Sequence, residues 1–82
     1  MAKTFRVGIY SSDRTLYEGE AASLIVPAAS GYLGILADHA PLVANLTSGK
    51  ISIRTRQGEV SVIDSSPGGF MEVLQNQVTL LL

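Results

Sequence analysis

Apolar and polar residues alternate with a period of two along most of the chain. The clearest runs are FRVGIY at 5–10, KISIRTR at 50–56, EVSVI at 59–63 and VTLLL at 78–82. A period of two is typical of a strand that buries one face, and no stretch shows the i, i+3, i+4 spacing of an amphipathic helix. The pattern therefore predicts strands along the chain and no helix.

Turn-forming residues separate these runs at close intervals. They occur as SSDR at 11–14, PAASG at 27–31, TSG at 47–49, QG at 57–58, SSPGG at 65–69 and QNQ at 75–77. The QG pair predicts a two-residue hairpin, and the 65–69 segment predicts a longer break. About eight to ten short strands at this spacing predict an all-β fold, a small antiparallel β-sandwich or flattened barrel. We expect residues 1–82 to form it as a single domain.

The composition limits how this fold is stabilised. A chain of 82 residues has room for one core, and a domain of this size buries only roughly 60% of its unfolded surface. The sequence is 46% hydrophobic but only 6% aromatic, with no Trp and no Cys. Disulfides and thiolate metal sites are therefore excluded. We expect a thin core of branched aliphatic residues that also includes Phe5 and Phe70.

The charge distribution argues against a nucleic-acid partner. The net charge is −1, from six basic and seven acidic residues, and binding a polyanion needs a clustered basic face. Lys50, Arg54 and Arg56 alternate along one strand, which is more typical of a solvated sheet face than of a binding stripe. Uncharged apolar runs reach about five residues, against the roughly 20 of a membrane helix. We therefore expect no direct membrane insertion and, since no apolar run follows Lys3 and Arg6, no signal peptide.

His39 is the one side chain whose ordinary pKa lies near neutrality, and it is the only histidine in the chain. Its neighbour Asp38 points to the opposite face if this segment is extended, so the two side chains would not form a catalytic pair. No serine lies in a Gly-x-Ser-x-Gly turn. The sequence shows no spacing of metal ligands either. These features predict no catalytic residue and no metal site, with His39 bonding backbone or contacting a partner.

The glycines and the proline of the surrounding segment indicate a shaped loop instead. Gly31 and Gly34, like Gly68 and Gly69, suit a phosphate loop only if a helix follows, and none is predicted. The sequence therefore predicts no nucleotide, no cofactor and no small-molecule substrate. Pro41 fixes its own φ and biases the residue before it toward extended backbone. A stiff loop of this kind favours a docking surface over a pocket.

The segment GYLGILADHAPLVANLTSGKISIR at 31–54 resembles the signature of the epsilon subunit of F-type ATP synthases, in its N-terminal β-sandwich. The flanks FRVGIYSSDRTLYEGEAASLIVP at 5–27 and GGFMEVLQNQVTLL at 68–81 resemble the opening and closing strands of the same domain. The resemblance covers essentially the whole chain. It implies a non-catalytic rotor subunit that couples the gamma subunit to the c-ring of a proton-translocating synthase. It also implies a peripheral position on the cytoplasmic face of the bacterial inner membrane, or on the stromal face of the thylakoid.

The resemblance also assigns residues to two interfaces. It implies that the residues facing the c-ring are Ser30, Gly31, Tyr32, Asp38, His39, Ala40 and Pro41. It implies that the residues facing gamma are Ser11, Ser12, Leu42, Val43 and Ala44. The chain departs from the family pattern at Tyr32, where a carboxylate is common, at Ala37, where proline is common, and around Pro67, where it is longer. The extra length around Pro67 implies a local bulge at 65–69.

The family typically continues into a C-terminal helical hairpin. This sequence ends at Leu82, so we assign no inhibitory or ATP-sensing role to its residues. Two alternatives to the rotor subunit remain open. One is a stand-alone β-sandwich module that binds a protein or a sugar, and the other is a small hydrolase that uses His39.

Overall fold

The computed structural model describes residues 3–65 and 67–82. All regular elements in these two ranges are strands, which confirms the predicted all-β class and the strand number. The nine strands are β1 Phe5–Tyr10, β2 Thr15–Ala21, β3 Ser23–Ala28, β4 Gly31–Leu36, β5 Leu42–Leu46, β6 Lys50–Arg54, β7 Val60–Asp64, β8 Gly69–Leu74 and β9 Gln77–Leu81. No helix in the described ranges is long and apolar enough to cross a membrane.

The strands pair in the order β2-β1-β9-β8-β5-β3-β6-β7, and β4 pairs with β3 outside this path. Neighbouring strands are antiparallel except β1 and β9, which run parallel. Strands β3 and β5 share the single pair Ala28 and Leu46. At this narrow connection the sheet folds over into two layers, β2-β1-β9-β8-β5 and β4-β3-β6-β7.

The core lies between the two layers and consists mainly of branched aliphatic side chains. Its fully buried members include Val7, Ile9, Leu24, Val26, Ile35, Ile51, Ile53, Met71, Val78 and Leu80. Phe5 is also buried, as predicted. The prediction that Phe70 lies in the core is wrong, because this side chain is 40% exposed. Its neighbour Met71 points inward, and alternation along β8 therefore turns Phe70 outward.

The β6–β7 hairpin differs from its predicted form. The Thr55 N–H donates to the Glu59 carbonyl at 2.8 Å, and the Gly58 N–H donates to the Thr55 carbonyl at 3.0 Å. Gly58 has a φ of 91°. The connection is therefore a three-residue loop of Arg56, Gln57 and Gly58, a tight turn followed by a glycine bulge, rather than a two-residue turn.

The other predicted breaks have distinct outcomes. The β8–β9 connection is a two-residue turn in which Gln75 and Asn76 have φ values of 50° and 61°, as a type I′ turn requires. The bulge predicted at 65–69 includes Ser66, which lies outside the described residues. Beside it, the buried Ser65 hydroxyl donates to the Thr47 and Gly49 carbonyls at 2.7 and 3.2 Å. Ser65 thus fastens the β5–β6 turn to the end of β7.

Candidate functional site

The residues predicted to face the c-ring fall into two groups at opposite ends of β4. Ser30, Gly31 and Tyr32 lie at the β3–β4 turn, whereas Asp38 and the residues up to 41 lie in the β4–β5 loop. The length of β4 separates the groups by roughly 16 Å at about 3.3 Å per residue. The structure therefore does not bring all seven residues into one cluster, and each group has its own supporting contacts.

The Tyr32 side chain is held at the start of β6 by its hydroxyl group. Its hydroxyl oxygen accepts a hydrogen bond from the Lys50 backbone N–H at 3.3 Å. A Cβ on Gly49 would lie 2.9 Å from this oxygen and 2.8 Å from the Pro27 Cβ, so only glycine fits beneath the phenol. The side chain is nevertheless 64% exposed. Tyr32 therefore presents a positioned aromatic surface.

The loop at 37–41, which we call the partner loop, begins with a tight turn. The His39 N–H donates to the Leu36 carbonyl at 3.3 Å, and Asp38 has a φ of 65°. A positive φ at the third residue of a β-turn is the type II pattern, in which glycine or asparagine is usual. The turn leads into His39, which is half-buried, and Pro41, which is exposed.

The His39 ring is engaged within its own loop. Its Nδ1 lies 2.7 Å from the Ala40 carbonyl oxygen, so Nδ1 must carry the proton and donate, since a carbonyl only accepts. Of the two alternatives predicted for the ring, a bond to backbone or contact with a partner, the structure shows the first. The neighbouring Asp38 carboxylate binds other residues instead. Among the described residues there is also no group of three His, Cys, Asp or Glu side chains that could hold a metal ion.

Asp38 connects the partner loop to the β8–β9 turn and to the start of the chain. Its backbone N–H donates to Asn76 Oδ1 at 2.6 Å, and Asn76 Nδ2 donates to Asp38 Oδ1 at 3.0 Å. Lys3 Nζ donates to Asp38 Oδ2 at 2.8 Å. The hydrogen bond from Lys3, then that from Asn76, holds the pKa of the Asp38 carboxyl below its usual range. The same bond raises the pKa of Lys3.

Sequence reasoning did not find Lys3 and Asn76 as part of this site. They lie 35 and 38 residues from Asp38, and no local spacing pairs residues so far apart. The one available signal was the composition QNQ around Asn76, which predicts a turn but does not show that this turn contacts Asp38.

The residues predicted to face gamma also separate into two places. Ser11 and Ser12 lie in the β1–β2 turn, where the Ser11 hydroxyl donates to Asp13 Oδ1 at 3.0 Å. Leu42, Val43 and Ala44 lie on β5, and β9 and β8 separate β5 from β1. Alternation divides this second group: Leu42 and Ala44 pack on the core, and Val43 is 59% exposed. Val43 is therefore the side chain of the three that faces outward.

Val43 belongs to an exposed apolar surface that sequence reasoning missed. It pairs across the strands with Glu72, whose neighbours on the same face of β8 are Phe70 and Leu74, and Leu81 pairs with Phe70. These four apolar side chains are between 40% and 59% exposed. We call them the outer patch: Val43, Phe70, Leu74 and Leu81. The pairing register of β5, β8 and β9 was the missing information, since it decides which outward residues are neighbours.

The outer face of the second layer carries a separate apolar surface. Ile25, Leu36 and Val62 are 46%, 63% and 57% exposed. Gly34 lies opposite Ile25 on β4, and its lack of a side chain leaves a shallow groove between Ile25 and Leu36. Val62 therefore matches Val43 in residue type and exposure but lies on the other layer.

Comparisons with known proteins give one consistent family. The family described as "ATP synthase, Delta/Epsilon chain, beta-sandwich domain" matches residues 4–82. The ATP synthase epsilon chain of Leptospira interrogans is 44% identical over 80 residues, which are 98% of this chain and 61% of that protein. The ATP synthase epsilon chain of Nostoc sp. is 38% identical over 79 residues, 96% of this chain and 58% of that protein. The chain thus spans about three fifths of the length of these curated relatives.

Two solved structures share the fold. A chain in the Euglena gracilis mitochondrial ATP synthase (OSCP/F1/c-ring) superposes with a TM-score of 0.88 at 20% identity, covering 95% of this chain and 49% of that one. A chain in the Tetrahymena thermophila mitochondrial ATP synthase (central stalk/c-ring) superposes with a TM-score of 0.77 at 16% identity, covering 98% and 63%. At these identities the likeness is one of fold.

Proposed function

Because the chain belongs to the delta/epsilon family of ATP synthase chains, through their β-sandwich domain, we propose that it acts as a non-catalytic subunit of the central stalk. In this role it couples the gamma subunit to the c-ring of a proton-translocating synthase. The family match over residues 4–82 is the observation that carries the proposal. The proposed position is peripheral, on the cytoplasmic face of a bacterial inner membrane or the stromal face of a thylakoid, through the assembled complex.

The outer patch supports the gamma-facing half of this proposal. The exposed side chains of Val43, Phe70, Leu74 and Leu81 lie on the outer face of neighbouring strands, around the paired residues Glu72 and Thr79. Burial of apolar surface stabilises a complex by about 25 cal/mol per Å² before the costs of association. An apolar area with interspersed polar groups is typical of the core of a protein–protein interface. We assign gamma to this patch and place Val43 inside the contact.

The two groups at the ends of β4 support the ring-facing half. Tyr32 offers an aromatic surface with one polar end, a combination that suits contact with polar loops at the border of a membrane. The partner loop offers His39 and Pro41 on a fixed backbone. We assign both groups to the ring, as two separate contacts rather than one.

A pair of matched variants tests the gamma-facing surface. Val43→Lys places an ammonium in the proposed interface, while Glu72 directly opposite on β8 compensates the charge in the free domain. The control is Val62→Lys on the outer face of the second layer, where the original valine has almost the same exposure. Binding to purified gamma is measured by titration and by co-elution, and thermal unfolding is recorded for both variants.

We expect Val43→Lys to weaken binding by at least tenfold, which is about 1.4 kcal/mol, because the complex must bury an ammonium group in place of an apolar side chain. Val62→Lys should bind as the original chain does. No complex between the original chain and gamma at micromolar concentration would overturn the proposed function. A complex that Val43→Lys and Val62→Lys form equally well would overturn only the assignment of the outer patch.

A further inference from the structure

Asp38 and Asn76 combine two features that rarely coincide in one pair of residues. Both have a positive φ, 65° and 61°, which glycine adopts without strain and other residues adopt rarely. Their groups also bond each other reciprocally, through the Asp38 N–H to Asn76 Oδ1 and through Asn76 Nδ2 to Asp38 Oδ1. Asp38 and Asn76 thus occupy two backbone positions that suit glycine, and hydrogen bonds of the Asn76 side chain join the two residues.

We propose that Asn76 is a positioning residue for partner binding: with Asp38 it forms a latch that fixes the partner loop in its binding geometry before the partner arrives. The inference rests on the proposed function, since it takes the partner loop to be a contact with the ring. It goes beyond that function because a residue outside the partner loop, Asn76 in the β8–β9 turn, is proposed to set the conformation of the loop.

The Asn76 side of the latch is the rigid one. Asn76 lies in a two-residue turn between β8 and β9, which leaves its backbone little freedom. Its carbonyl accepts the Arg6 N–H at 2.9 Å, so β1 holds the same turn. The partner loop has no strand of its own at 37–41. The turn therefore acts as the fixed reference, and the loop is placed relative to it.

Two hydrogen bonds fix the backbone next to the proposed contact residues His39 and Pro41. The latch holds the Asp38 N–H, and the next N–H, that of His39, donates to the Leu36 carbonyl. The backbone is therefore defined on both sides of Asp38, just before His39 and Pro41. The Lys3 ion pair adds less, since its side chain is 76% exposed and exposed ion pairs contribute little. A loop held in this way loses less conformational freedom when it binds.

Glycine variants remove the latch without straining the backbone. Asn76→Gly keeps the positive φ and leaves a favourable type I′ turn, but deletes both side-chain bonds. Asp38→Gly keeps its positive φ and its N–H, and so retains one of the two bonds. Asn76→Asp keeps the acceptor for the Asp38 N–H but sets a second carboxylate against the first. The double variant Asp38→Asn with Asn76→Asp reverses the pair and restores an amide-to-carboxylate bond.

The experiment uses the full chain and an ATP synthase preparation depleted of this subunit. Three quantities are measured: the exchange rate of the residue 38 amide by NMR in the free chain, the dissociation constant for the depleted synthase, and the melting temperature. We expect Asn76→Gly to speed exchange at residue 38 and to weaken binding about tenfold, because the competent loop is then a minor population. Asn76→Asp should weaken binding at least as much, and the reversed pair should slow the exchange of the residue 38 amide again, toward the original rate.

Each other result bears on a different part of the inference. Unchanged amide exchange at residue 38 in Asn76→Gly would overturn the latch, whatever the binding data show. Faster exchange of the residue 38 amide in Asn76→Gly, together with an unchanged affinity, would overturn the positioning role alone. Failure of the reversed pair to slow the exchange of the residue 38 amide again, at an unchanged melting temperature, would also overturn the latch. If the original chain does not bind the depleted synthase, the proposed function and the positioning role fall together, and exchange still decides whether the latch holds the loop.

Discussion

Ser65→Ala should lower the stability of the domain by an amount set by one buried hydroxyl. The Ser65 side chain is 1% exposed, and its Oγ donates to the Thr47 carbonyl at 2.7 Å and lies 3.2 Å from the Gly49 carbonyl. The Ser65 N–H also donates to Gly49 at 2.9 Å. After the substitution the Gly49 carbonyl still accepts the Ser65 N–H. The Thr47 carbonyl loses the hydrogen bond from the Ser65 hydroxyl.

The magnitude follows from the loss of one hydrogen bond between a buried hydroxyl and a backbone carbonyl. Such a loss costs about 1 kcal/mol, and up to roughly 2 kcal/mol if water cannot replace the donor. Thr47 is exposed, so water can reach its carbonyl region and the lower figure applies. In a domain of this length, 1 kcal/mol corresponds to a decrease in melting temperature of roughly 4–8 °C.

The assay is thermal and urea unfolding followed by circular dichroism, with Ser61→Ala as the control. Ser61 lies on β7 in the same layer but is exposed. Its replacement should change the free energy of unfolding by less than about 0.5 kcal/mol. If Ser65→Ala and Ser61→Ala melt within 1–2 °C of each other, on the scale expected for one such bond, the hydroxyl does not secure the turn and the reasoning is refuted.

Two further predictions concern backbone and charge. Gly68→Ala should destabilise the domain by about 2 kcal/mol or more in urea unfolding, because Gly68 has a φ of 133° and a Cβ there would lie 3.3 Å from the Leu46 carbonyl carbon; a loss below about 0.5 kcal/mol would contradict this. The pKa of Asp38, followed by NMR of the carboxyl carbon, should lie below the usual range and rise toward it in Asn76→Gly. Because its folded pKa is depressed, the stabilisation from Asp38 is present above the usual carboxyl pKa and is lost as the pH falls through the folded value; an equal pKa in both proteins would contradict the role of Asn76.

Alternation along the chain was sufficient to predict most of the fold. Most strands bury one face, and a period of two reports that directly, as in β6, where Ile51 and Ile53 are buried. Strand β7, which has no buried residue, is an exception. The wrong assignment of Phe70 came from residue type and not from alternation, because large aromatic residues are usually assigned to the core, whereas β8 buries Met71 and Val73. Alternation also gives no strand order, so the parallel pairing of β1 with β9 was not accessible from the sequence.

The candidate site was predictable only where its contacts are local. The turn at Asp38 and the backbone bond of His39 follow from neighbours within a few residues. The contacts of Asp38 with Asn76 and Lys3, and the grouping of Val43 with Leu81, depend on which strands lie side by side. Register is a property of the whole sheet, and a single sequence does not specify it.

The parallel pairing of β1 with β9 has a consequence for the order in which the chain folds. Strand β9 lies between β1 and β8, so it joins the first hairpin to the rest of its layer. During synthesis the β1–β2 hairpin emerges before the other seven described strands and has no neighbour to pair with until β9, the ninth described strand, has left the ribosome. An isolated hairpin is at best marginally stable. The domain must therefore assemble late and cooperatively, at the slow rates typical of folds dominated by contacts distant in sequence.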